Sequence, residues 1–247
     1  MSHFLTLVIG DEPETQLAKY DENLKLPMHL YMTKEQLISM KRKSIEEYKK
    51  DYYDVFLADP EAYRATCHKE HAYYVEHEFP KRLNWTDEQM YEEAVQCYRM
   101  DIDAGSENIE IHEDGSVWHT YNDDAKWDWY QMGGRYAGRL KLKDISKNAP
   151  LFYPEYPEYY SIKELNYLKQ LKAEGCCDQA RVKDVSNLSG IGCFAVVKDG
   201  KWYERGKMGW WSVVTDEKDK DAWGEEVKLL LASLSPDTLL TMYDCHI

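Results

Sequence analysis

The stretch KWDWYQMGGRYAGR combines aromatic rings, adjacent glycines and arginine within residues 126–139. Tryptophans two positions apart share one face of a β-strand and offer flat surfaces for stacking. A Gly-Gly pair lets a ligand approach the backbone, and an arginine beside it supplies a planar set of donors for phosphate or carboxylate. A base stacked on indole next to an anchored phosphate would need this mixture. The candidate ligand-binding residues in this stretch are Trp127, Trp129, Gly133, Gly134 and Arg135.

A second stretch, KWYERGKMGWW, repeats the mixture of aromatic, glycine and cationic residues at positions 201–211. Its glycines lie three apart and indicate a loop whose backbone N–H groups could cradle an anion. The candidate residues in this stretch are Arg205, Trp210 and Trp211. Two such loops in one protein favour a shared pocket. The alternative for both is a tight connection with structural tryptophans, in which Arg135 pairs with Asp128.

Histidines near the two ends of the chain form the third candidate group. His3 and His246 lie on the predicted first and last strands, and Asp244 lies on the same face as His246. If these strands pair, the three side chains could act as acid and base or hold a metal. Hydrogen-bonded structural histidines are the alternative. The sequence contains no HExxH, Walker A or GxSxG motif, so we predict no metal or cofactor.

The elements that must position these residues can be predicted from the spacing of apolar residues. The run from Phe4 to Ile9 and the closing segment TLLTMYDCHI predict strands of one sheet at the two ends of the chain. Between residues 33 and 103, helical spacing and two capping boxes predict a mainly helical insertion. The predicted fold class is therefore α+β, with a mixed sheet that could be ferredoxin-like. We expect one domain, residues 1–247, that carries this insertion.

Turn signals place further elements after the insertion. Asp114-Gly115 and Asp199-Gly200 predict β-hairpins, and RLKLK and residues 210–215 predict strands. PLFYPEYPEYY predicts a stiff loop, because proline suits neither a helix interior nor a central strand. A capping box at Ser161 begins a helix, and the spacing of apolar residues from Trp223 to Leu234 predicts the last one.

Composition limits the function classes. A net charge of −14 argues against a broad nucleic-acid-binding surface. No apolar run is long enough to cross a membrane, and no basic segment of signal-peptide type precedes the first strand. The six cysteines show no paired spacing, which indicates free thiols and a cytoplasmic location.

The markers MSHFLTLVIG, YDEN, KWDWYQMGGR, KWYERGKMGWW and DTLLTMYDCHI resemble those of a family of bacteriophage and prophage proteins. The resemblance spans nearly the whole chain, but the family brings no assigned activity. It implies a location in the cytoplasm of an infected bacterium. Because phage genomes encode small proteins that bind or cleave nucleotide immune signals, it also implies a role in counter-defence.

These observations together predict a protein that sequesters a small phosphate-bearing ligand, such as a cyclic nucleotide or an ADP-ribose derivative. Sequestration needs no catalytic residue, which agrees with the absence of a catalytic motif. A first alternative is a hydrolase of the same ligands that uses His3, Asp244 and His246. A second alternative is an acidic protein that blocks a host protein partner. Homo-oligomerisation is left open.

Overall fold

The computed structural model describes residues 2–208 and 213–247 and shows an α+β protein. The chain forms two compact units, one of Met1–Leu24 with Asn122–Ile247 and the other of Lys25–Tyr121. The strands are β1 (His3–Ile9), β2 (His29–Met32), β3 (Ile109–Ile111), β4 (Val117–His119), β5 (Trp129–Met132), β6 (Leu140–Lys141), β7 (Cys176–Cys177), β8 (Gln179–Arg181), β9 (Ala195–Lys198), β10 (Lys201–Glu204), β11 (Lys207–Met208), β12 (Val214–Thr215) and β13 (Leu239–His246). The α-helices are α1 (Pro13–Ala18), α2 (Lys34–Tyr48), α3 (Asp54–Ala58), α4 (Pro60–Thr66), α5 (Lys69–Tyr73), α6 (Phe79–Arg82), α7 (Asp87–Asp103), α8 (Ile162–Ala173) and α9 (Lys220–Ala232).

The first unit is built on a mixed sheet in the order β10-β9-β1-β13-β5, with β8 also paired to β13. The two end strands β1 and β13 are central and antiparallel, with His3 opposite His246 and Ile9 opposite Leu240. On its other side β1 pairs in parallel with β9. The prediction that His3–Ile9 and Leu239–His246 are strands of one sheet is therefore confirmed.

Both faces of this sheet are covered, which explains why β1 is an unbroken apolar run. Leu5, Leu7 and Ile9 face one core, which includes residues of α9 such as Trp223 and Val227. The intervening side chains of β1 face a second core. That second core contains Phe4, Val8, Leu17, Tyr20, Trp127, Tyr243 and Cys245.

The second unit contains the helical block, which is mainly helical from residue 34 to 103 as predicted. Both expected capping boxes are present, at Thr33 with Gln36 and at Thr86 with Gln89. Two π-helical stretches, Lys49–Tyr53 and Tyr74–Glu78, lie within the block. The unit also contains the antiparallel sheet β2-β4-β3, so it is larger than the predicted insertion over 33–103.

Several local predictions are confirmed, and others differ. The Asp199-Gly200 turn joins β9 to β10 with positive φ at both residues, as a tight hairpin turn requires. The predicted strand RLKLK is only the two residues of β6, because it pairs with the equally short β7. The short helix α1 begins at Pro13 in a stretch that we expected to be irregular.

The finer topology also differs from the prediction. In a ferredoxin-like sheet the second strand of the central hairpin lies beside the opening strand, whereas here the first hairpin strand, β9, lies beside β1. None of the helices described, over residues 2–208 and 213–247, has the length and apolar character that a membrane span requires.

Removing the Leu7 side chain should destabilise the first unit. Leu7 is fully buried at the centre of β1, so Leu7→Ala should lower the free energy of unfolding by about 2–5 kcal/mol. Leu229→Ala, on an exposed position of α9, should change it by less than about 0.5 kcal/mol. Denaturant unfolding followed by tryptophan fluorescence measures both variants. Equal effects would contradict the assignment of β1 as the core strand.

Candidate functional site

A cleft of about 570 Å³ opens in the first unit where the ends of three strands meet. The strand register aligns His3 of β1, His246 of β13 and Trp129 of β5, and it aligns Asp244 with Gln131. Side chains alternate across a sheet, so these residues share one face. His3, Trp129, Gln131 and Asp244 line the cleft.

The His3 imidazole is oriented by a buried carboxylate. Nδ1 of His3 lies 2.9 Å from Oδ1 of Asp244, and Asp244 is only 1% exposed. The imidazole edge of His3 borders the cleft. When Nδ1 donates to Asp244, the lone pair of Nε2 is available to accept a proton, which is the arrangement of a general base. The structure thus brings together the predicted pair from opposite ends of the chain.

A second imidazole lies against the first. The ring centroids of His3 and His246 are 4.9 Å apart, and Nδ1 of His246 lies 2.6 Å from Oδ1 of Asp128. Nε2 of His246 is buried and has no hydrogen-bond partner among residues 2–208 and 213–247. His246 is not among the described residues that line the cleft, and it contacts the cleft only through its packing against His3.

The carboxylate of Glu22 lies near this second pair. Burial raises the pKa of Glu22, and the negative charges of Asp128 and Asp21 raise it further, while His246 opposes them. The YDEN segment that contains Glu22 forms an Asx-type turn, in which Oδ1 of Asp21 accepts from the backbone N–H of Asn23 at 2.8 Å. The backbone N–H of Glu22 also donates to the carbonyl of Trp127, which ties this turn to the stretch that leads into β5.

The Gly-Gly-Arg turn forms one wall of the cleft. Both glycines are required because buried carboxylates lie too close to the turn for a Cβ atom. Gly133 and Gly134 have positive φ, at 71° and 50°. A Cβ on Gly133 would overlap the carboxylate of Asp178, and one on Gly134 would lie 2.6 Å from Oδ2 of Asp244. The backbone N–H of Arg135 donates to that same Oδ2 at 3.0 Å. The glycines therefore let two buried carboxylates approach the turn.

Asp178 fixes the far end of this wall, although it is not exposed to the cleft. Its Oδ1 accepts from the N–H of Gly138 at 2.6 Å, and its Oδ2 accepts from the N–H of Phe152 at 2.7 Å. Burial raises the pKa of Asp178 to about 6, opposed by these two backbone donors. At neutral pH the carboxylate is mostly ionised and can accept both bonds.

Two arginines on this wall have no counter-ion among the described residues. Arg135 and Arg139 both line the cleft, and within the part of the chain that is described neither guanidinium forms a hydrogen bond or an ion pair. Arg139 lies over the ring of Tyr136, 5.8 Å from its centroid. The other arginines, each bound to a carboxylate or a backbone carbonyl, are Arg42, Arg64, Arg82, Arg99, Arg181 and Arg205. The predicted pairing of Arg135 with Asp128 is not observed, since Asp128 binds His246.

Aromatic side chains complete the cleft. Trp129 is 47% exposed, and Tyr160 and Tyr167 are also exposed on the opposite wall, which the Pro/Tyr loop and α8 provide. The capping box of Ser161 and Glu164 begins α8 and thereby fixes the position of Tyr167. These rings leave π-faces available to a flat ligand, next to the free arginines.

The remaining predicted binding residues do not line this cleft among the described residues. Trp127 is 5% exposed and packs in the second core against Tyr130, so our interpretation of it as a stacking platform is wrong. The reason is that β5 begins at Trp129, so period-two alternation does not extend back to Trp127. Arg205 lines a neighbouring cleft and is paired with Glu217. Trp210 and Trp211 lie outside the described residues.

Sequence reasoning missed residues whose roles depend on long-range contacts. Asp178 in CCDQA has no local signal, because its partners are 26 and 40 residues away. Arg139 lies within the quoted stretch and could have been found by asking which arginines follow the Gly-Gly pair. Tyr160 and Tyr167 were predicted only as parts of a loop and a helix.

The possible metal ligands of the first unit are spread apart. Within its described residues, no three histidine, cysteine or carboxylate groups bring their ligand atoms within 4.8 Å of one another. Both Nδ1 atoms at the site are already engaged by carboxylates.

Comparison with protein-family models, curated proteins and solved structures found no match to this chain. The residues of the cleft are therefore what indicates a function.

The raised pKa of Asp178 should appear as a pH-dependent stability difference. The folded-state pKa is about 6 and the unfolded value is about 3.9, so the folded state binds more protons between these values. The free energy of unfolding should fall as pH rises from about 4 to 6 and then level off. Because the Asp178→Asn side chain cannot titrate, the free energy of unfolding of this variant should lack the pH-dependent contribution of Asp178, which is on the order of 1–3 kcal/mol. Denaturant unfolding across this pH range measures it. A difference between wild type and variant that stays constant with pH would contradict the assignment.

Proposed function

We propose that the cleft binds a small anionic ligand that carries a flat ring, of the nucleotide class. The observation that carries the proposal is a pair of arginines, Arg135 and Arg139, that form no ion pair with any described residue and lie beside exposed aromatic rings. Acidic partners are abundant in a chain of net charge −14. Each of the other arginines binds a carboxylate, as Arg99 does, or a backbone carbonyl, as Arg181 does. Arg135 and Arg139 are left free at the cleft, where a phosphate could take the place of a carboxylate.

The expected energies are sufficient for specific binding. A charge-assisted hydrogen bond from arginine contributes roughly 1.5–3 kcal/mol, and each stacked base roughly 1–3 kcal/mol. The polar groups of His3, Asp244 and Gln131, which line the cleft, could recognise a ribose or a base edge. The biological use that we propose, following the resemblance to bacteriophage proteins, is sequestration of a nucleotide-derived immune signal such as a cyclic nucleotide or an ADP-ribose derivative.

A hydrolase of the same ligand class is the second candidate, and the His3–Asp244 dyad is the observation that favours it. The dyad borders the same cleft, and its Nε2 is free to take a proton from water. Binding and cleavage are separated by incubating the protein with a panel of adenine and guanine nucleotides. Intact ligand recovered only after heating indicates sequestration, and altered ligand indicates hydrolysis.

Arg135→Ala should weaken nucleotide binding about tenfold to a hundredfold, because one charge-assisted hydrogen bond is lost. The melting temperature should be unchanged, since the exposed guanidinium has no partner within the described protein. Arg135→Lys should restore affinity only in part, because lysine cannot form the planar fork. Calorimetric titration measures affinity. Arg99→Ala, in the other unit, is the control and should bind normally. A sharp fall in melting temperature for Arg135→Ala, with no ligand for the wild type, would refute the proposal.

If the protein hydrolyses its ligand, His3→Gln should slow turnover by about 100- to 10,000-fold, because the general base is removed. Ligand affinity should change much less. His112→Gln, on an exposed hairpin position, is the matched control and should be fully active. Chromatography of products over time measures the rate. Unchanged turnover in His3→Gln would exclude His3 as the base.

A further inference from the structure

A second cleft of about 410 Å³ adjoins the first. His3, Tyr136 and Arg139 line both clefts, so the two lie on either side of these side chains. Tyr136 is held in place because its hydroxyl donates to the carbonyl of His3 at 3.0 Å. Arg139 lies over the ring of Tyr136, which places its free guanidinium at the boundary between the two spaces.

The second cleft also suits an anionic ligand with a ring. Arg139, Arg205 and Lys220 border it, and among its described lining residues there is no acidic side chain. Arg205 is already paired with Glu217, whereas Arg139 forms no ion pair with any residue that the structure describes. The apolar part of the lining includes Phe194 and Trp223. Trp223 is fixed because its indole N–H donates to the carbonyl of Cys193 at 2.7 Å.

A glycine within a helix keeps this second space open. Gly224 lies in the interior of α9 and lines the cleft, and a Cβ there would meet nothing within 4 Å. Its backbone is helical, so neither conformation nor crowding requires glycine. Glycine at such a position costs about 1 kcal/mol relative to alanine. The glycine is explained if the space beside Gly224 holds a ligand, because any side chain at this position would project into that space.

We propose that the two clefts form one site for a ligand of two nucleoside-like halves joined by phosphates. This inference rests on the proposed nucleotide binding in the first cleft. Each cleft volume lies within the range of roughly 300–1,000 Å³ that small-molecule sites occupy, so each accommodates one ring-bearing half. The bridging phosphates lie at Arg139, with Arg135 contributing from the first cleft.

The test compares ligands with one and two halves on wild-type protein. The probes are ADP, GDP and the corresponding diadenosine and diguanosine diphosphates, titrated by calorimetry. Linked halves gain from effective concentration, so the two-base ligand should bind on the order of tenfold more tightly or better. Gly224→Phe fills the second cleft and should remove this advantage while leaving ADP or GDP binding intact. Gly190→Phe is the matched control, because a Cβ there also meets nothing within 4 Å and Gly190 lines neither cleft.

The possible failures are distinguishable. Equal affinity for one-base and two-base ligands, or an advantage that survives in Gly224→Phe, would overturn the two-part site while leaving nucleotide binding in the first cleft. If the wild-type protein binds none of the probes, both the proposed function and the two-part site are refuted. If Gly190→Phe also loses the advantage, the effect of Gly224→Phe is not specific to the second cleft, and the inference is overturned.

Discussion

Two buried carboxylates hold the site together. Asp244 and Asp178 accept four hydrogen bonds, one from His3 and three from the backbone N–H groups of Arg135, Gly138 and Phe152. A buried carboxylate is tolerated only when such donors surround it. Because both glycines of the Gly-Gly pair are needed for this approach, the turn, the carboxylates and the cleft wall form one interdependent structure.

The charge distribution follows from this arrangement. The carboxylates of Asp244 and Asp178 accept hydrogen bonds from backbone N–H groups and are not paired with arginine, and among the described residues the guanidinium groups of Arg135 and Arg139 form no ion pair. The protein as a whole is strongly acidic, so its overall field does not steer anions towards the cleft. Selectivity for an anionic ligand would then arise from direct contacts inside the cleft, where short-range interactions exceed the screened field of the surface.

The parts of the fold that could be predicted are those specified by local sequence. β1 and β13 are continuous apolar runs, the capping boxes are four-residue signals, and the Asp-Gly turns require positive φ at defined positions. The same reasoning named His3, Asp244 and Arg135 as candidates, and all three line the cleft. It could not place Trp127, because the strand boundary between it and Trp129 depends on the pairing of β5 with β13. It could not find Asp178, whose role exists only once distant segments meet.

The pairing of β1 with β13 also bears on how the protein is made. The hydrogen bond between His3 and Asp244 joins residues 241 positions apart, so β1 has no antiparallel neighbour until residues 239–246 have been synthesised. During translation the segment 25–121 can become compact while β1 still lacks both of its partners. Contacts of such large sequence separation slow folding, and an unpaired apolar strand is exposed meanwhile. The cleft therefore forms only after residues 239–246 have been synthesised and have paired with β1.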